Sequence, residues 1–297
     1  MVVLGPTASG KSDVAMEAAR TVGNVHIIAA DSMQVYRGMD IGTAKPTADD
    51  REQVVHHGLD LVEPHEDFSV AQYVAAVSGA RESLEQHGVS ELVVGGTGLY
   101  VTALVDGLNM PGQWPEIRAE LEANDDVEAL YAELSDVDPV AASRIEPNNH
   151  RRIVRALEVC RGSGTTFSSF GDGIAHFPDT DTVQIGIKWE RDALRARIAE
   201  RVSRMMSAGL VDEVRHLVSG DRPLSRTSRQ ALGYKEVIEG LEHGWSEQQM
   251  ADTITLRTQQ FAVRQERWYR RDPRITWFEV QNDPVGTITP HVVAALT

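Results

Sequence analysis

Gly5-Pro6-Thr7-Ala8-Ser9-Gly10-Lys11-Ser12 fits the pattern G-x-x-x-x-G-K-[ST], follows the apolar run Val2-Val3-Leu4, and precedes the helix-like Asp13-Val14-Ala15-Met16-Glu17-Ala18-Ala19. Strand, glycine-rich turn and helix in that order make a phosphate-binding loop. Glycines let successive backbone N–H groups turn around an anion, Lys11 adds positive charge, and the Ser12 hydroxyl is placed to ligate Mg²⁺. The helix behind the loop offers its positive end to the same anion. The motif therefore predicts that a polyphosphate binds, and leaves the reaction open.

Working outward, Val25-His26-Ile27-Ile28-Ala29-Ala30 and Glu91-Leu92-Val93-Val94 are short apolar runs that end at Asp31 and at Gly95-Gly96, as buried parallel strands do. Thr182 to Trp189 and Ile275 to Phe278 read as further strands. Helical stretches alternate with them: Ser69 is placed to cap a helix through Gln86 with Gly88 beyond its end, and helical spacing runs over Asn149 to Arg161, Arg191 to Ser219 and Ser246 to Arg271. The alternation predicts an α/β fold, a P-loop NTPase-like (kinase-like) parallel sheet flanked by helices. The carboxyl edge of such a sheet should gather the phosphate loop, Asp31 and Gly95-Gly96-Thr97-Gly98 in one cleft. Between Pro111 and Ile145 the sequence turns acidic and helical without a strand-like run, which reads as an inserted helical lobe of residues 111–145, or to 178 at its widest. Residues 1–110 and 146–297 then form the core.

Composition narrows the class. With 297 residues and 41% apolar content the chain has material for a sizeable interior. A lone cysteine, Cys160, excludes an internal disulfide, and its helical setting reads as a packed thiol rather than a nucleophile. The chain shows no charged-and-apolar leader and no apolar run near ~20 residues, so the expectation is a cytoplasmic protein without a membrane partner. A net charge of −15 opposes non-specific nucleic-acid binding, yet Arg257, Arg264, Arg267, Arg270, Arg271 and Arg274 cluster locally. Trp268 and Tyr269 lie among them, suited either to base stacking or to anchoring a helix in the core. His56, His57 and His65 have no partners at zinc-like spacing and read as structural or surface residues.

Asp31, at a strand end beside the phosphate loop, is placed to accept a proton or contact metal, or simply to cap a turn with Ser32. Both readings stand on the residues alone. Arg197 and Arg201 share one helical face and either meet an anion or pair with Glu200 and solvent. Arg151, Arg152 and Arg155 likewise read as a solvated helix face or as a nucleic-acid contact.

The stretch Asp31-Ser32-Met33-Gln34-Val35-Tyr36-Arg37-Gly38-Met39-Asp40-Ile41-Gly42-Thr43-Ala44-Lys45-Pro46, the phosphate loop and Gly95-Gly96-Thr97-Gly98-Leu99-Tyr100 together resemble the bacterial tRNA dimethylallyltransferase family. The resemblance extends through Arg151 to Val159, Gln230 to Glu236 and Arg264-Gln265. It implies transfer of a prenyl group from dimethylallyl diphosphate to N6 of adenosine 37, in the anticodon arm of tRNAs reading UNN codons, by a monomeric enzyme with Mg²⁺. Carried onto this sequence, it implies that Gly5, Pro6, Thr7, Ala8, Ser9, Gly10, Lys11 and Ser12 hold the diphosphate or a nucleotide, with Ser12 on the metal. Asp31, Thr7 and Arg201 are the implied catalytic residues. Asp31, Ser32, Met33, Gln34, Thr97, Arg118, Arg151, Arg152, Ile153, Val154, Arg155, Gln230, Gly233 and Lys235 are the implied tRNA contacts. Two rivals remain: an ATP-dependent small-molecule kinase, which predicts a metal-binding carboxylate where Gly95-Gly96 stand, and a nucleotide-gated RNA-binding module without catalysis.

Overall fold

A computed structural model describes residues 1–171 and 176–297. The described chain divides into two compact units, residues 1–106 with 179–297, and residues 107–178.

The first unit is built on a six-stranded parallel sheet. Its strands are β1 (Val2–Leu4), β2 (Val25–Ala29), β3 (His56–His57), β4 (Ser90–Gly95), β5 (Gln184–Trp189) and β6 (Ile275–Val280), in the spatial order β3-β2-β4-β1-β5-β6. Every pairing is parallel, and Val2 lies between Val93 and Gln184, so β1 is central and flanked on both edges. Val2, Val3 and Leu4 have no exposed surface. A strand covered on both faces has no use for alternating polar residues, and for this reason β1 reads as a continuous apolar run. Parallel strands require crossovers, and helices supply them. The helix Lys11–Val22 follows β1 and packs on the C-terminal helix Pro284–Leu296.

Local signals set the ends of the elements. Ser69 caps Val70–His87 with a reciprocal capping box to Gln72. The region Arg191 to Ser219 is not one helix: it breaks into Arg191–Ser207 and Leu210–Val218. Gly209, at φ +97, forms the break, a conformation that costs glycine little and other residues much. The C-terminal helix and the short β3 went unread in the sequence. For the helix, Asp283 as N-cap and Pro284 in the first turn were the available signal.

The second unit holds the helices Pro115–Glu122, Val127–Val137, Pro139–Arg144 and His150–Ser163. Its own core joins Leu121, Leu130, Leu134, Ile153, Val154 and Leu157. His150–Ser163 therefore belongs here and not with the sheet, because its apolar face is the one that closes this small core. Among the described residues no helix is long and apolar enough to cross a membrane.

Candidate active site

The carboxyl edge of the sheet opens into a cleft of about 1040 Å³. The phosphate loop forms one wall. Ala8 and Gly10 adopt positive φ values of 63° and 87°, which turn the loop sharply before Lys11 opens its helix. Two residues from β5 and the helix after it clasp the loop from outside. Trp189 donates its indole N–H to the Ser9 carbonyl at 3.0 Å, and Arg197 Nε donates to the Ala8 carbonyl at 2.8 Å. Arg197 also lies over the Trp189 ring, 4.5 Å from its centroid. Arg197 thus supports the loop backbone, a role that its helical spacing with Arg201 did not reveal.

Arg201 lies one turn further along the same helix and lines the cleft with Lys11, Ser12 and Asp31. Burial pulls the Lys11 ammonium down to about 8, and the positive charge of Arg201 adds to the depression while Asp31 and Asp13 oppose it. Arg201 is lowered too, by burial first and then by Arg204, with Asp31 countering. Lys11 and Arg201 lie close enough to repel in a poorly solvated part of the cleft, and an anion placed between them relieves that repulsion.

Asp31 stands just beyond β2. Its Oδ1 accepts the Met33 N–H at 2.9 Å and the Gln34 N–H at 3.4 Å, so the turn-capping reading of Asp31 is correct as far as one oxygen goes. The Ser32 N–H donates to Thr97 Oγ1 at 3.0 Å, which brings the ends of β2 and β4 together as expected. No acidic side chain stands at the end of β4: the strand runs into Gly95 and Gly96.

The segment after Asp31 is fixed by Lys45 and Glu213, to which the sequence assigns no role, and by Gln34. Lys45, almost fully buried, donates to the Tyr36 carbonyl at 2.7 Å and pairs with Asp40 and Asp60 at 2.6 and 2.7 Å. Glu213 accepts the backbone N–H groups of Asp40, Ile41 and Gly42, and the Tyr234 hydroxyl at 2.6 Å. Gln34 donates its side-chain amide to the carbonyls of Thr43 and Ala44. A polar loop is held by buried Lys45 and half-buried Glu213, and Glu213 carries no motif because its loop partners lie far away in sequence.

Several implied RNA contacts are placed otherwise than expected. Ile153 and Val154 are buried in the core of the second unit, at 0% and 1% exposure, so their side chains hold that helix. Arg155 donates to the carbonyls of Pro111 and Gly112 and pairs at 2.9 Å with Glu158, itself fully buried. Arg118 pairs with Glu122 and approaches Glu158 at 3.9 Å. Arg151 and Arg152 are exposed, as is Gln230. The Gly233 N–H is taken by the Glu236 carboxylate at 2.6 Å, and Lys235 lies 3.9 Å from Glu239. Tyr269 is buried and donates to the Gly95 carbonyl at 3.2 Å, whereas Trp268 is half-buried beneath Arg271, 4.3 Å from its ring centroid. Tyr269 thus serves the core. His57 meets His26 at 3.1 Å and His56 meets the Val54 carbonyl, both structural contacts. Cys160 is half-buried, with its Sγ accepting the Phe167 N–H.

Known proteins similar to this chain are consistent in kind. The family described as IPP transferase matches residues 34–272, and that described as isopentenyl transferase matches residues 1–57. A protein of Kineococcus radiotolerans named tRNA dimethylallyltransferase is 44% identical over 93% of this chain and 89% of its own. A tRNA dimethylallyltransferase 1 of Trichlorobacter lovleyi is 41% identical over 99% of this chain and 97% of its own. Among solved structures, a full-length tRNA isopentenylpyrophosphate transferase from Bacillus halodurans superposes with a TM-score of 0.71 at 36% identity, covering 99% of this chain and 95% of that one.

Proposed function

The chain belongs to the IPP transferase family, and from that premise we propose that its cleft takes dimethylallyl diphosphate and passes the prenyl group to N6 of adenosine 37, in the anticodon arm of tRNAs reading UNN codons. The protein is a tRNA-modifying prenyltransferase. On our reading it works as a monomer in the cytoplasm.

One observation carries the proposal: Lys11 and Arg201 crowd together as cations in the same cleft that Asp31 lines from the end of β2. An anion settles the first two, and a nucleophile that must lose a proton suits the third. In the reaction proposed, N6 attacks C1 of the allylic chain, the C1–O bond breaks, the bonding pair leaves with diphosphate, and the N6 proton passes to Asp31. Arg201 meets the charge that grows on the departing oxygen, with planar donors already in place. Thr7 borders the same space.

The residues suit Mg²⁺. Its preferred setting is one or two protein oxygens completed by phosphate oxygens and water, and Ser12 offers such an oxygen at the helix start, whereas no cluster of three or more metal-binding side chains occurs among the described residues. Bound there, the ion would neutralise diphosphate charge and steady the leaving group. For the RNA, Ser32, Thr97 and Gln230 in the first unit and Arg151 and Arg152 in the second are the proposed contacts. Adenosine 37 must leave its stack to be reached.

The test is incubation of the protein with Mg²⁺, labelled dimethylallyl diphosphate and unmodified tRNA. Label on adenosine 37 is the expected result, and its absence, with ATP taken up tightly in place of the allylic diphosphate, would defeat the reading.

A further inference from the structure

Gln265 lies on the long helix Glu247–Tyr269, buried to 7% exposure, and reaches two strand ends at once. Its Oε1 accepts the Thr7 N–H at 2.8 Å and its Nε2 donates to the Gly96 carbonyl at 2.7 Å. The polarity of both partners is fixed, since a backbone N–H only donates and a carbonyl only accepts, so the amide has one orientation. The fit is close as well: a Cβ on Gly96 would lie 2.6 Å from Gln265 Nε2 and 3.4 Å from Lys11 Nζ, which accounts for glycine there. Gly96 leads directly into Thr97, whose Oγ1 accepts the Ser32 N–H and donates to the Ser32 hydroxyl. Ser32 is the neighbour of Asp31. The route from Thr7 to Asp31 thus runs through one side-chain amide, and Tyr269, one turn on, fixes the same helix to Gly95.

Resting on the transferase reading, we infer that Gln265 is a positioning residue that locks the phosphate loop to the strand end beside Asp31, so that leaving group and proton acceptor are set in register by one amide. The Thr7 N–H is committed to this clasp. The amides left for a phosphate are those nearer the start of the helix, where its positive end is strongest.

Three variants separate this role from simple packing. Q265L removes both bonds. Q265E keeps the acceptor for Thr7 but, when ionised, sets a carboxylate against the Gly96 carbonyl; when protonated, it regains a donor. Burial raises the pKa of such a carboxyl. Q265N keeps both groups but is too short to span. The expected result is a fall in kcat of roughly 10- to 100-fold for Q265L and Q265N, from misplacement of about 1 Å or less, with KM for tRNA within two-fold and the unfolding transition still cooperative. For Q265E, kcat relative to wild type should recover as pH falls from 8 to 6, while the Q265L ratio stays flat. Calorimetry with inorganic pyrophosphate and Mg²⁺ reads the loop side without turnover, and Q265L should bind several-fold more weakly. Unchanged kcat and pyrophosphate affinity in Q265L, or a Q265E ratio that does not move with pH, overturns the clasp. Wild-type protein that binds pyrophosphate but transfers nothing overturns the transferase reading instead, and the binding comparison then decides the clasp by itself.

Discussion

Arg197 lies over the Trp189 ring, 4.5 Å from its centroid, and from that position its Nε reaches the Ala8 carbonyl at 2.8 Å while Trp189 holds Ser9. Two side chains from outside the phosphate loop thus bond two consecutive loop carbonyls. An Arg197→Ala change removes a charge-assisted hydrogen bond and a cation–π contact. The expected cost is about 1–3 kcal/mol of stability. Thermal unfolding measures it, and pyrophosphate affinity should fall alongside; an unchanged midpoint would show that the loop holds itself.

Lys11 sets a pH dependence. Its folded value, about 8, lies below the ordinary lysine value of 10.5, so between those values the unfolded chain binds more protons and this group's contribution to stability rises with pH. Anion binding runs in the opposite sense. As pH rises through about 8 the free cleft loses its Lys11 charge, so pyrophosphate affinity should weaken, and binding near that pH should take up a proton. Calorimetry in buffers of different ionisation enthalpy reads the uptake. Lys11→Arg should flatten the profile, and equal affinity at pH 7 and 9 in the wild type would contradict it.

Asp31→Asn isolates chemistry from architecture. Asparagine keeps the oxygen that accepts from Met33 and Gln34, so the turn should survive. Turnover should drop roughly 10²-fold or more, as for removal of a general base, with tRNA affinity unchanged. Full turnover in this variant would reduce Asp31 to a turn cap.

Arg201→Gln should lower kcat on the order of 10²-fold, the scale of losing one charge-stabilising donor in a transition state. Single-turnover prenyl transfer under saturating substrate measures it. A loss confined to KM would mean that Arg201 binds the ground state only.

In the second unit, Glu158 is buried with Arg155 at 2.9 Å and its other carboxylate oxygen 3.9 Å from Arg118. Arg155→Ala removes the near cation from a buried carboxylate that keeps the Trp114 N–H and Arg118 at 3.9 Å, and should cost on the order of 3 kcal/mol, whereas Arg155→Ala combined with Glu158→Gln should recover part of it. Denaturant unfolding of the whole chain tests this. A tRNA-affinity loss with no stability loss would restore Arg155 as an RNA contact.

Much of the fold was legible because its signals are local. The loop Gly5–Ser12, the apolar runs of β2 and β4 and the Ser69 cap each act over a few residues. What was not legible is equally specific. Helical periodicity carried the reading through Gly209, although a single glycine was enough to break the helix. The run Arg151 to Arg155 reads on its residues as a solvated helix face, with RNA contact implied only by family resemblance, and Ile153 and Val154 within it are the apolar stripe that builds a second core.

The sequence by itself determined that a parallel sheet carries a phosphate loop and that Asp31 follows the next strand, because backbone preference and apolar spacing are properties of neighbouring residues. Tertiary structure alone decided that Arg197, Lys45, Glu213 and Gln265 hold the site in shape. Gln265 meets partners 258 and 169 positions away. Burial makes such a hydrogen bond strong and specific, and burial exists only after the chain has folded.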